Sequence, residues 1–198
     1  MKKKALTQIA FEFLSIVFAV LLALGLNSYK QSIDLEKDAK TLKKSILLEC
    51  RNNYARIDST MYMNKDFYNY IDSLVRLNPD DITNVSFNYG FELLANSAWN
   101  IAQNNKAINA LDQQFLLDAA DIYHTQEFYT EFTSSFYQNM GQHITQMDEI
   151  PPYNTALSFY YSLNVMNSAA GDLQDKLKLL FDTYDNDGAG SGSESDND

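Results

Sequence analysis

Hydrophobic positions along this chain fall into two regimes. Over 9–26 they run unbroken, IAFEFLSIVFAVLLALGL, with Glu12 as the run's sole ionisable side chain. Beyond it they recur every three or four residues, until a C-terminal stretch, DNDGAGSGSESDND, that carries almost none. At about 1.5 Å of rise per residue the run is roughly 27 Å long, close to the ~30 Å hydrocarbon thickness of a bilayer, and it predicts one membrane-spanning helix over 9–26. A cleaved signal peptide is the competing reading, with Lys2, Lys3 and Lys4 as its basic start and Ala23-Leu24-Gly25 as a small-x-small cleavage site. The run is long for that role, and Glu12 interrupts it. The segment that follows, NSYKQSIDLEKDAKTLKKSILLEC, holds no Pro or Gly, so nothing stops a helix from passing straight through.

Past the span, Leu35, Ala39, Leu42, Ile46, Cys50, Tyr54, Ile57 and Met61 form one helical stripe, with Lys37, Lys40, Lys43, Lys44, Glu49 and Arg51 as a solvated face. The stripe continues through Phe67, Ile71, Leu74 and Val75 to Asn78-Pro79, where an X-Pro pair ends a helix. Span and stripe together predict a single helical rod. Residues 79–86 read as a loop, and 87–105 as a second helix with Phe91, Leu94, Ala98 or Trp99, and Ala102 on one face. Asp112 is placed to cap a third helix bearing Phe115, Ala119, Ile122, Tyr129, Phe132, Phe136, Met140, Ile144 and Met147. Pro151-Pro152 stops it, and Pro152 suits the first position of a fourth, with Leu157, Tyr160, Met166, Ala169, Leu173, Leu177, Leu180 and Tyr184. We find no strand-like alternation at this level. The expected fold is all-α: a short cytoplasmic N-terminus at 1–8, a transmembrane helix at 9–26, an extracytoplasmic antiparallel bundle of about four helices at 27–184, and a disordered acidic tail at 185–198.

Charge narrows the function. A formal net charge of −11 repels phosphate backbones, which excludes a nucleic-acid partner. With Cys50 as the lone cysteine, no disulfide or thiolate cluster forms within one chain. Lysines flank the span on both sides, so orientation rests on length: long domains translocate regardless of charge, which puts the N-terminus inside.

Candidate chemistry is sparse. Glu12, Ser15, Ala19 and Ala23 fall on one narrow small-and-polar helix face, the face expected to meet a second membrane helix. Trp99 is expected as a core anchor. His124, with Asp121 and Glu127 three residues to either side, can share a helix face, a pattern far commoner on solvated surfaces than in metal sites. Residues 183–194 place Asp185, Asp187, Gly188 and Glu194 at calcium-loop positions, but begin with Thr183 and lack an outgoing helix. No HExxH, P-loop, GxSxG or dinucleotide fingerprint occurs, and no cofactor or metal is expected.

The run Glu12-Phe13-Leu14, then Val20-Leu21-Leu22-Ala23-Leu24, Asn27 and the charged helix after it resembles the start of a family of uncharacterised single-span bacterial inner-membrane proteins, with Ser97-Ala98-Trp99 and Tyr123 similar to its downstream pattern. The resemblance implies a glutamate-bearing N-terminal span followed by a long charged helix, and no assigned chemistry; Trp99 and Tyr123 are expected in the domain core.

The function expected is that of a non-enzymatic, single-pass membrane-anchored interaction or scaffold protein, an accessory subunit of a membrane complex or a homo-oligomer. Its partners would be the lipid bilayer and a membrane protein or its own copies. A ligand-binding sensory domain that signals through a partner is the alternative, and an enzyme built on His124 a third reading.

Overall fold

In a computed structural model, which describes residues 2–145 and 150–184, the rod expected from the sequence is one unbroken helix, α1, Lys2–Val75. Its 74 residues make it about 110 Å long. Three further helices follow among the described residues: α2, Ser97–Gln103; α3, Gln113–Thr145; and α4, Pro152–Tyr184. Two 3₁₀ turns, Pro79–Asp81 and Lys106–Ala110, bracket the connection between α1 and α3. The acidic tail and its calcium-loop reading lie outside the described residues.

Helix starts follow the local chemistry. The Asp112 carboxylate accepts the Phe115 N–H at 2.9 Å, which caps α3. Pro152 opens α4, where its missing N–H costs nothing. At the turn after α1, the Asn78 side chain accepts the Asp80 N–H at 3.4 Å.

The bundle proper is α1, α3 and α4, each contributing a seam with alternating spacings of three and four. On α4 the buried positions are Ala156, Phe159, Leu163, Met166, Ala170, Leu173, Leu177, Leu180 and Tyr184. On α3 they are Phe115, Ala119, Ile122, Gln126, Tyr129, Thr133 and Phe136. On α1 they begin at Ala39, not at Leu35, which is 39% exposed. Such spacings average 3.5 residues, the period of helices that wrap on one another. Tyr54, Met61, Leu157, Tyr160 and Ala169, expected in the stripes, are half-buried flanks one position off the seams.

The second helix is where structure and expectation part. Only Ser97–Gln103 is helical; residues 82–96 are extended and run back along α1 as a strap. Val85, Phe87, Tyr89 and Phe91 point inward from it, an alternation of period two that our reading of the sequence passed over. Phe87 meets Phe159 edge-on at 5.0 Å, Tyr89 meets Phe136 at 4.9 Å, and Phe91 lies against Tyr137 at 4.7 Å. Because the strap returns to the start of the domain, α3 runs parallel to α1, and α4 is antiparallel to both. The register shows this. Tyr123 and Gln126 of α3 lie beside Glu49 and Asn53 of α1, while Tyr68 and Tyr54 of α1 meet Asn164 and Phe181 of α4.

Candidate functional site

Two regions stand out once the fold is in place, and the first is the N-terminal part of α1. Glu12, Ser15, Ala19 and Ala23 are all exposed there, as are Phe13, Leu14, Ile16 and Phe18, each above 60%. The window that carries them has a mean hydropathy of 1.7 and none of it is buried. This is the one helix, among the described residues, long and apolar enough to span a membrane.

The second region lies where α1, the strap, α2 and α3 meet, and polar seam positions build it. Asn53 is fully buried; its side-chain carbonyl accepts the Ala95 N–H at 2.9 Å and its amide donates to the Ala95 carbonyl at 2.7 Å. Three turns further on, Asn64 does the same for Gly90, at 2.9 and 2.5 Å. Between them the Thr60 hydroxyl accepts the Glu92 N–H at 3.1 Å, and the Arg56 guanidinium donates to the Leu93 carbonyl. Each carboxamide thus takes the place of a neighbouring strand. The spacing is commensurate: eleven helical residues rise about 16 Å, and five extended residues cover about the same distance. From α3, Gln126 donates to the Ala95 carbonyl at 2.9 Å and accepts from Asn53 at 2.8 Å, while the Tyr137 hydroxyl donates to the Tyr89 carbonyl at 2.9 Å.

Where the strap gives way to α2, Glu49 ties three elements together. Its carboxylate accepts the Ala98 N–H at 2.9 Å, in the first turn of α2, and the Tyr123 O–H at 2.6 Å. The Cys50 thiol donates in turn to the Tyr123 hydroxyl at 3.9 Å. Burial is the main cause that pushes the Cys50 thiol up to about 12, and burial likewise raises Tyr123, helped by Cys50 and Glu49 beside it. Both groups are therefore neutral at physiological pH. They form a structural relay of donors ending on one carboxylate.

Trp99 lies flat on Tyr123, ring centres 5.2 Å apart and planes 11° from parallel. Tyr123 is core, as expected; Trp99 is only half-buried and forms, with Tyr123, the floor of a cleft of about 560 Å³ between α2 and α3. Asn96, Asn100 and Gln103 form one rim of it, and His124, Glu127 and Glu131 the other. The expected sharing of a face by Asp121, His124 and Glu127 does not hold: Asp121 pairs with Lys176 of α4 at 2.9 Å, outside the cleft. Among the described residues no three His, Cys, Asp or Glu side chains gather closely enough to hold a metal ion.

Our reading of the sequence picked out Trp99 and Tyr123 but placed Glu49 on a solvated face, where the structure half-buries it against Ala98 and Tyr123, and it missed Asn53, Thr60, Asn64 and Gln126. The signal of those four is a polar residue where the three–four spacing demands an apolar one. No protein family, no curated protein and no solved structure matches the chain.

Proposed function

We propose that this chain is a single-pass protein of the bacterial inner membrane, anchored through 9–26 with its N-terminus in the cytoplasm and its helical domain in the periplasm. Its role is to bind a membrane-protein partner or further copies of itself, without catalysis. The observation that carries this reading is the continuity of α1. One helix presents a wholly exposed apolar surface at one end and the seam of a folded domain at the other, with no break between them. So large an apolar surface needs lipid or other helices around it. The face formed by Glu12, Ser15, Ala19 and Ala23 suits the second of these. Small residues let backbones approach, and a carboxylate there gains a hydrogen-bonding partner by association. In this reading the rod holds the domain at a fixed distance and orientation from the bilayer, as a scaffold requires.

Cell fractionation with an alkaline carbonate wash, followed by protease treatment of spheroplasts, tests the placement. The protein is expected in the washed membranes, with its C-terminal half open to external protease. Recovery in the aqueous fraction, or full protection of that half, would refute the anchor or its direction. Crosslinking in native membranes then tests the role, and a strictly monomeric pattern with no partner adduct would refute it.

A further inference from the structure

The cleft over Trp99 and Tyr123 belongs to none of this. Its volume lies in the range of small-molecule sites. Its chemistry is one-sided. The charged residues lining it are Glu127 and Glu131, with His124 beside them and no lysine or arginine. The two carboxylates stand one helical turn apart on α3, a like-charged i, i+4 arrangement that is destabilising when nothing sits between them. No hydrogen bond or ion pair among the described residues engages either one. The floor has the same polarity. An aromatic face carries the negative end of a ring quadrupole, and Trp offers the strongest such face among the side chains. The floor is also rigid: Trp99 is held against Tyr123, Tyr123 is fixed by Glu49, and Glu49 in turn holds the start of the helix that carries Trp99.

From this we infer that the cleft is a binding site for an organic ammonium ion, a small primary or quaternary amine. The cation stands over the Trp99 face and between the Glu127 and Glu131 carboxylates, and Asn100 and Gln103 meet any polar group the ligand carries on the opposite rim. Anions are repelled by the α3 wall, which carries both carboxylates. A neutral ring would gain the stacking but leave the two carboxylates uncompensated. Exposed ion pairs and exposed cation–π contacts are individually weak, so a Kd of about 10 mM is expected.

The chain contains a single tryptophan, so its fluorescence reads this cleft alone. The full-length protein in a non-ionic detergent is titrated with choline chloride and with 1,4-diaminobutane, ionic strength being held constant with sodium chloride. The expected result is a saturable change in Trp99 emission for at least one of the two amines. The Glu127→Gln/Glu131→Gln double variant should weaken it by about tenfold, with an unchanged melting curve. A response that tracks sodium chloride alone, one that survives in the double variant, or saturation by glucose with none by either amine would each overturn the proposal. Because the measurement needs neither a bilayer nor a partner protein, its failure leaves the anchor and scaffold reading untouched, and failure of that reading leaves the cleft in place.

Discussion

Asn53 illustrates how much one buried carboxamide can decide. It bonds both the N–H and the carbonyl of Ala95 and donates to Gln126. Replacing it by alanine strands the Ala95 N–H and the Gln126 side-chain oxygen, while the Ala95 carbonyl keeps Gln126, so Asn53→Ala should cost about 2–4 kcal/mol, read as a lower urea midpoint with a preserved slope. Asn52→Ala, on the exposed face next to it, should change stability by less than about 0.5 kcal/mol. Cys50 makes a prediction of opposite character, because its partner is the core itself. Folding raises its thiol from 9.0 to about 12, so between those values the unfolded chain gives up a proton that the folded chain keeps. Stability therefore falls as pH rises through that window, by up to about 1.4 kcal/mol per pH unit from this group. Burial raises Tyr89 and Tyr123 in the same direction and steepens the loss at its upper end. Urea midpoints at pH 8, 10 and 11 should show the decline, and Cys50→Ala should make it shallower.

At the scale of elements, the question is what each helix owes to its neighbours. Residues 12–38 of α1 are exposed, whereas the part from Ala39 onward supplies a seam. A proline at Ile33 should therefore kink the rod yet leave the melting of the domain within about 2 °C of the parent, because no buried contact depends on that turn. A proline at the exposed Asp58 should cost about 3 kcal/mol or more, a drop of roughly 10 °C, from the backbone alone. The strap is the converse case, an element with little structure of its own. Its sequence, VSFNYGFELLAN, alternates inward and outward and contains Gly90 and two asparagines, so it is a poor helix former. The α1 stripe, α3, α4 and their start and stop signals were legible because amphipathic periodicity and proline act locally. The expected helix over 87–105 failed because the partner that satisfies the strap's backbone is a row of side chains more than two dozen residues away in the chain.

For the molecule as a whole, the exposed apolar end of α1 and the acidic, aromatic domain are joined through one continuous helix. The scaffold reading makes a specific demand on the small face of the span. Ala19→Leu combined with Ala23→Leu should abolish the crosslinked adduct while the protein stays in carbonate-washed membranes, because bulk there blocks close helix approach without lowering hydrophobicity. An adduct unchanged in that variant would move the contact off this face.

Three things were determined by the sequence alone: an apolar length fit to span a bilayer, an all-helical domain, and the starts of α3 and α4. Each follows from interactions between residues a few positions apart, where periodicity, caps and breakers act. Tertiary structure alone decided that a strap replaces the first half of the expected second helix, that α3 consequently runs parallel to α1, and that Trp99 lines a cleft as well as packing on Tyr123. Those outcomes depend on which distant groups meet the backbone of 82–96. A buried N–H or C=O goes to whichever partner the packed fold brings within reach, and here the nearest partners are the carboxamides of Asn53, Asn64 and Gln126.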